Sequence, residues 1–255
     1  MSSVRATHGW TDAAAAFYAR GQQHSDYVER LGPAIRRGVG RPTSLIDLGA
    51  GTGDLGAAII PQGARWLAVE PNGFMAERLR QRMQAHDLSE PVVITQPWED
   101  LGEHNLPPAE VVLAANLPGM TEDPVTLWQV CTRLATRHVC WVCGAEIEPS
   151  LGCLSGFLPP VLRDPRRTYG YDFLLRHLRD IAPTPEIRFV TWTWRQVFPD
   201  FAAAYLHCAG LTADIADPAQ QRRLEYHLRQ HLVPGEHGLM AESPRQSAVC
   251  TWRQR

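Results

Sequence analysis

The sequence predicts an α/β protein built on a doubly wound, seven-stranded, mostly parallel sheet. Short apolar runs rich in β-branched residues recur along the first 145 residues, and segments with helical spacing separate them. Strands that alternate with helices in this way form right-handed crossovers. The carboxyl ends of the parallel strands then meet at one edge of the sheet, where ligands of such proteins bind. Functional residues are therefore expected in the turns that follow the strands.

The expected strands and helices follow one another in the order that such a fold requires. Five strands are expected before residue 146, at 43–49, 65–70, 91–96, 110–116 and 137–145. Two more, at 186–194 and 247–253, complete the predicted sheet of seven. Helical composition is found at 10–37, 171–182, 198–210 and 218–232. Thr11 or Asp12 is the expected cap of the first helical segment.

All 255 residues are expected to form a single domain with additions. Residues 1–40 would be an amino-terminal helical lid, and residues 42–146 would be the core that binds the cofactor. Residues 147–185, which begin with a segment rich in Pro, Gly and Arg, would be a substrate-side insertion after strand 5. Residues 186–255 would supply the last strands and helices of the sheet.

Charge and composition narrow the class of partner. The formal net charge of -2 gives no electrostatic reason to expect a nucleic-acid partner. No apolar stretch approaches the ~20 residues that cross a bilayer, so we expect a cytoplasmic protein with no membrane partner. The six scattered cysteines are expected to be reduced thiols. Cys140 and Cys143 form a C-x-x-C sequence inside a predicted strand, where they would face opposite sides, so no metal site is expected.

The glycine-rich segment SLIDLGAGTGDLG, residues 44–56, is the strongest functional signal. Gly51, Gly53 and Gly56 match G-x-G-x-x-G, which by itself suggests a dinucleotide with its pyrophosphate at a helix N-terminus. Asp47 argues against that ligand, because a carboxylate repels a pyrophosphate and attracts an ammonium or a sulfonium. The segment therefore favours a cationic ligand. A cofactor of the NAD(P) or FAD type stays open as an alternative.

The segment LIDLGAGTGDLG resembles the first motif of the class I S-adenosylmethionine-dependent methyltransferases. The resemblance implies a Rossmann-like methyltransferase fold, S-adenosyl-L-methionine as cofactor and S-adenosyl-L-homocysteine as product. In that family an acid after the second strand binds both ribose hydroxyls, residues after the third strand contact adenine, and the fourth strand ends near the methionine part of the cofactor. The residues that the resemblance assigns to cofactor binding are Asp47, Gly49, Ala50, Gly51, Gly53, Glu70, Pro71, Trp98, Glu99 and Asn116.

Several of these assignments have an alternative interpretation. Glu70 would also suit a dinucleotide, so it does not separate the two cofactors. Trp98 and Glu99 are also compatible with a core tryptophan beside a surface acid, and Asn116 with a turn residue before Pro118. The sequence NLPGM departs from the Asn-Pro-Pro-aromatic signature of amino and nucleobase N-methyltransferases, which disfavours a DNA-type or glutamine-type acceptor.

A small molecule is the expected methyl acceptor, because no added nucleic-acid-binding module is visible in the sequence. Tyr18 and Tyr27 of the lid, with Tyr169 and Tyr171 of the insertion, are candidates to enclose an apolar or planar acceptor. Packing of the lid on the core is the alternative role for these side chains. Two other functions stay open, an NAD(P)- or FAD-dependent oxidoreductase and a non-catalytic binding protein of the same fold.

Catalytic residues stay unassigned at this point. Methyl transfer from a sulfonium requires mainly orientation, closeness and exclusion of water. A general base is needed only if the accepting atom must lose a proton. His8, His24, His177 and His207 lie in the variable segments, and each is interpreted first as a surface or packing residue. The sequence leaves the accepting atom and the oligomeric state open.

Overall fold

The computed structural model describes residues 11–103, 106–117, 119–145, 152–155, 157, 170–212 and 217–254. Within these residues the chain forms eight strands. They are β1 Ser44–Leu48, β2 Arg65–Val69, β3 Glu90–Ile94, β4 Ala109–Ala115, β5 Ala135–Gly144, β6 Glu186–Phe198, β7 Val233–Gly235 and β8 Gly238–Arg253. The α-helices are α1 Asp12–His24, α2 Tyr27–Val39, α3 Asp54–Ile59, α4 Gly73–Gln84, α5 Gly119–Glu122, α6 Pro124–Leu134, α7 Tyr171–Leu178, α8 Phe201–Gly210 and α9 Pro218–His231. Two 3₁₀ turns span Trp98–Glu103 and Gly152–Leu154.

The strands form one mixed sheet in the order β3-β2-β1-β4-β5-β8-β6. Strands β1 to β5 are parallel, while β8 runs antiparallel to both β5 and β6. The prediction of a doubly wound, mostly parallel α/β sheet is confirmed. The seven predicted strands are all present, and the eighth, β7, is a three-residue strand that pairs only with β8. The order reverses between β1 and β4, so the crevice at their carboxyl ends is the expected ligand site.

Each face of the sheet is covered by its own apolar core. One core contains Trp128, Trp141 and Trp252 with α6 and α7, and the other contains Trp66 with α2, α3 and α4. Strands β1, β2, β4 and β5 are largely buried on both faces, because helices cover both sides of the sheet, whereas the edge strand β3 is partly exposed. Cys140 belongs to one core and Cys143 to the other, so the prediction that they face opposite sides is confirmed.

The amino-terminal segment forms two helices. Thr11 caps α1 by accepting a hydrogen bond from the Ala14 amide at 3.2 Å, as one of the two predicted caps. Helix α1 ends at His24 and α2 begins at Tyr27. Between them, the Asp26 carboxylate accepts the Thr193 amide of β6 at 2.6 Å, which ties the junction of the two helices to that strand.

Strands β6 and β8 continue past the carboxyl end of β5. Residues Ser247–Arg253 of β8 pair with β5, whereas Gly238–Gln246 pair only with β6 and β7. We call residues 190–198 and 238–247 the arm. One face of the arm presents Trp192, Trp194, Gln196 and Phe198 in succession, and α1, α2, α8 and the second 3₁₀ turn pack around it. The arm was predicted only in part, because the expected strands ended at 194 and began at 247.

The remaining predicted elements differ only at their ends. Helix α8 begins at Phe201, because the Asp200 carboxylate caps it through the Ala203 amide at 2.8 Å. Helix α7 ends at Leu178, four residues before the predicted end. Residues 147–151, 156 and 158–169 of the predicted insertion lie outside the described residues, and the division of the chain into lid, core and insertion stays a prediction. Among the described helices, none combines the length and apolar character that a bilayer crossing requires.

Candidate cofactor site

Three glycines shape the loop between β1 and α3. Gly49, Gly51 and Gly53 have φ values of 65°, 57° and 77°, in the left-handed region that side chains disfavour. A Cβ on Gly49 would lie 2.4 Å from a methyl carbon of Leu117, so this position is also sterically closed. A Cβ on Gly51 would meet no described atom within 4 Å. The loop thus leaves free space directly over its central glycine.

Backbone and side-chain contacts fix the loop from both flanks. The Ala50 amide donates to the Val69 carbonyl of β2 at 3.0 Å, which holds the loop beside the end of the second strand. On the other flank, the Arg82 guanidinium of α4 donates to the Thr52 carbonyl at 2.8 Å and pairs with Asp54 at 2.7 Å. The loop is therefore fixed in position by groups of the chain itself.

Asp47 is a buried carboxylate without a compensating partner among the described residues. It lies on β1, two residues before Gly49, and is only 3% exposed. Burial and the charge of nearby Glu70 raise its pKa to about 8. No hydrogen bond from the described part of the chain opposes that rise. Because isolated buried charges are costly, a cation at this position would be strongly favoured.

Glu70 joins the glycine loop to the start of α4. One carboxylate oxygen accepts the Gly51 amide at 2.8 Å, and the other accepts the Asn72 amide at 2.8 Å. Burial raises the pKa of Glu70, while these two backbone donors act in the opposite direction. Pro71 follows directly and is exposed. Each carboxylate oxygen can accept a second hydrogen bond, so both remain able to receive a pair of hydroxyls.

Trp98 and Glu99 have different environments in the structure. Trp98 is 5% exposed and packs with Leu101 in the core that also contains Ile46 and Val69. Glu99 is exposed at the start of the first 3₁₀ turn. This arrangement matches the alternative of a core tryptophan beside a surface acid. The assignment of the two residues to adenine stays a prediction.

Asn116 lies at the carboxyl end of β4, beside the end of β1. Its φ of 52° is the single positive value among the described non-glycine residues. The Asn116 amide donates to the Val142 carbonyl at 2.8 Å, and its side-chain Nδ2 donates to the Tyr27 hydroxyl at 2.8 Å. Because Asn tolerates this backbone conformation better than most residues, the turn interpretation also fits. The hydrogen bond to Tyr27 fixes the side chain at the edge where the strands end.

Tyr18 of α1 and Tyr27 of α2 are largely packed against the arm. Tyr27 is 2% exposed and meets Trp192 edge-on at a centroid distance of 4.7 Å. Tyr18 stacks on Trp194 at 5.4 Å, and burial raises its pKa to about 12. Burial is the main cause of the raised pKa of Tyr27 as well, and the charge of Asp54 adds to the rise in both tyrosines.

The other two tyrosines do not join this group. Tyr171 of α7 has its aromatic contact with Phe189 of β6, at a centroid distance of 5.0 Å. Tyr169 lies outside the described residues. A role for either in acceptor binding stays a prediction.

The described candidate histidines make their contacts away from the glycine loop. His207 stacks on Phe17 at 4.3 Å, and burial lowers its pKa. His177 bonds the Phe173 carbonyl within its own helix, and His24 lies beside His237. His8 lies outside the described residues.

Several residues of the site were not found from the sequence. Asn72 caps α4 through the Met75 amide at 3.0 Å, and an Asn directly before a helical segment is a signal that the sequence contained. Arg82 gave no local signal, because its partner Asp54 is distant in the chain.

The sequence resembles that of known proteins over only part of its length. No protein-family model matches the sequence. Over 122 residues, 47% of this chain, it is 30% identical to ribosomal RNA small subunit methyltransferase A of Mycobacterium tuberculosis and Mycobacterium bovis. The match spans only 38% of the length of those relatives.

Solved structures resemble the fold of most of the chain. A Bacillus halodurans protein, solved as a candidate methyltransferase, superposes with a TM-score of 0.52 at 10% identity, over 87% of this chain and 97% of that one. The plantazolicin methyltransferase BamL superposes with a TM-score of 0.51 at 10% identity, over 93% and 91%. The chain has the class I methyltransferase fold. The glycine loop, Asp47 and Glu70 thus stand where strands of this fold end, and the fold alone does not decide the activity.

Proposed function

We propose that this chain is an S-adenosyl-L-methionine-dependent methyltransferase. The observation that carries the proposal is Asp47, a buried carboxylate without a partner among the described residues, beneath a glycine loop with open space above Gly51. A phosphate of NAD(P) or FAD would meet two acids, Asp47 and Glu70, and would hold Asp47 in its neutral form. An ammonium or a sulfonium instead favours the ionised form of Asp47 and gains from its charge. The cofactor product seen with the structural neighbour BamL, S-adenosyl-L-homocysteine, supports the proposal.

The residues present fit this cofactor. Asp47 would hold the cationic methionine part, and Glu70 would accept the two ribose hydroxyls on the lone pairs that its backbone bonds leave free. Gly49, Gly51 and Gly53 allow close approach of the ligand to the backbone. Asn116 would border the methionine part, where its amide adds no charge. When bound, the cofactor supplies a methyl group already activated by its sulfonium.

The protein contributes orientation and exclusion of water to such a transfer. Helix α1 lies against α4 and the arm, where Ala15 and Ala19 pack on Met75 beside the start of α4. Asn72 at that start also approaches Asp12 of α1, with 3.5 Å between Nδ2 and Oδ1. A helix in this position excludes water from the site and limits the direction from which an acceptor arrives. No general base is assigned.

A small, apolar or planar molecule is the acceptor that we propose. The side chains Tyr18, Trp192 and Trp194 form an aromatic group between α1 and the arm. Trp192 also meets Tyr27, which is hydrogen-bonded to Asn116 at the end of β4. Aromatic side chains of this kind bind planar apolar ligands. Flanking by α1 and the arm supports a small acceptor over a large one.

Ribosomal RNA is a second candidate acceptor. The partial match to ribosomal RNA small subunit methyltransferase A favours it. The net charge of -2 argues for less electrostatic attraction to RNA than a basic protein would have.

Two experiments test these statements separately. Equilibrium binding of S-adenosyl-L-methionine should weaken at least tenfold in Asp47→Asn and remain unchanged in Asp180→Asn, which alters an exposed acid shortly after α7. Equal affinities in both variants would contradict the cofactor assignment. Transfer from methyl-labelled cofactor is then measured into a small-molecule extract and into under-methylated ribosomal RNA. Label in the RNA alone would replace the first acceptor by the second, and binding without transfer to either would favour a non-catalytic role.

A further inference from the structure

Two cysteines bring their sulfur atoms close together at the side of the arm. The Sγ atoms of Cys153 and Cys208 lie 2.7 Å apart. Cys153 belongs to the second 3₁₀ turn, Cys208 belongs to α8, and 55 positions of sequence separate them. Both side chains are buried in the small core that also contains Phe198 of the arm. A disulfide has an S–S bond of about 2.05 Å, so the two sulfur atoms need to move only a short distance to form one.

The backbone around Cys153 is fixed in this position. Its amide donates to the Gln196 side-chain oxygen of the arm at 3.0 Å, and its carbonyl accepts from His227 Nε2 of α9 at 2.9 Å. Gly152 has a φ of 63°, and a Cβ on it would lie 2.5 Å from the same Gln196 oxygen. Cys208 is held by its helix. The two sulfurs therefore meet because three separate elements position them.

We propose that Cys153 and Cys208 are an oxidation site, where a small hydroperoxide converts the two thiols to a disulfide. The Cys153 thiolate attacks a peroxide oxygen, the O–O bond breaks, and Cys153 becomes a sulfenic acid. The Cys208 sulfur then attacks that sulfur, the S–O bond breaks and water leaves. In total, the two thiols lose two electrons and two protons. Hydrogen peroxide takes up both and yields two waters.

The assignment of roles within the pair follows from exposure and hydrogen bonding. Cys153 is 4% exposed and Cys208 is fully buried, so Cys153 is the sulfur that meets a small oxidant. The hydrogen bond between the two thiols lowers the pKa of Cys153 and raises that of Cys208. A lowered pKa favours the thiolate that attacks. The product ties the turn after β5 to α8, which secures the side of the arm covalently.

The chain also contains a matched control pair. Cys143 and Cys250 are buried neighbours on β5 and β8, but Cys143 stands opposite Ala248 in the ladder, two positions from Cys250. The Cys143 and Cys250 side chains are hydrogen-bonded. Diagonal neighbours nevertheless lie about 7–8 Å apart, their Cβ atoms somewhat less, whereas a disulfide needs a Cβ separation of about 3.5–4.5 Å. This second pair is therefore expected to stay reduced.

The test treats fully reduced protein with hydrogen peroxide, then denatures it in an alkylating reagent and measures the intact mass. Four of the six thiols, the total less the two joined, should be alkylated, and the non-reduced digest should contain the Cys153–Cys208 crosslink. Cys250→Ala should keep this crosslink. Cys208→Ala should lose it and leave a sulfenic acid on Cys153 that dimedone traps. The Tm of the oxidised wild type should rise by several degrees and return on reduction.

Other results of the same test would overturn the proposed disulfide. Alkylation of all six thiols after peroxide treatment would overturn the proposal, and so would a crosslink between Cys143 and Cys250 in place of the Cys153–Cys208 crosslink. If Cys208→Ala does not fold, Cys153→Ser gives the same comparison. An unchanged Tm in protein with the proven crosslink would contradict the claim that the disulfide secures the side of the arm.

Discussion

Binding of S-adenosyl-L-methionine should release a proton from Asp47 at neutral pH. The pKa of about 8 leaves this carboxyl neutral in about nine tenths of the ligand-free protein at pH 7. A cation within about 4–6 Å lowers a carboxyl pKa by about 1–3 units, so Asp47 is ionised in the complex. Binding thus releases nearly one proton at pH 7. With a bound-state pKa of about 5, affinity should rise about 50-fold from pH 6 to pH 8, or about 2 kcal/mol.

Isothermal titration in two buffers of different ionisation enthalpy measures this proton release directly. The amino group of the ligand titrates near pH 8, so its contribution is shared by wild type and Asp47→Asn. The difference between the two proteins isolates Asp47. At pH 7 the wild type should release nearly one proton more than Asp47→Asn does, and the affinity of Asp47→Asn should depend less steeply on pH. Equal proton release and equal pH slopes in both proteins would refute the reasoning.

Three further predictions concern stability and the lid. Since the folded-state pKa of Asp47 lies above its unfolded value, stability should fall as pH rises from about 4 to about 8, by on the order of 4 kcal/mol at pH 7. Urea unfolding of ligand-free Asp47→Asn should lack this decline. Gly21→Ala should destabilise α1 by about 1–3 kcal/mol, because the new Cβ would lie 2.3 Å from the Trp194 ring. Proteolysis of the amino-terminal segment should then be faster, and an unchanged rate would contradict the packing. Tyr27→Phe removes the acceptor of the Asn116 hydrogen bond and should cost about 1 kcal/mol in thermal unfolding.

The sheet and the glycine loop could be predicted because their signals are local. Residues 44–48 combine a short apolar run with glycines directly after it, and both the strand and its turn depend on those neighbours alone. Asp47 and Glu70 could be predicted for the same reason, because each lies at or next to the end of a short strand. The parallel register that brings them together follows from the alternation of strands with helices.

The arm and the lid contacts could not be predicted, because distant residues determine them. Residues 238–246 contain Gly238, Glu242 and Pro244, which are poor strand formers, and they are extended because β6 pairs with them. The junction of α1 and α2 is tied to β6 because Asp26 binds the Thr193 amide, 167 positions away. The packing partner of Tyr27 could not be read from the sequence, because Trp192, whose ring it meets edge-on, is distant in the chain. Each case is a long-range contact that overrides local propensity.

The most direct measurement is isothermal titration of the wild-type protein with S-adenosyl-L-methionine and S-adenosyl-L-homocysteine, beside NAD, NADP and FAD. The buried acid at the end of β1 predicts saturable binding of the first two ligands and none of the dinucleotides. Binding of a dinucleotide alone would contradict the account, because phosphates would then occupy a site flanked by Asp47 and Glu70.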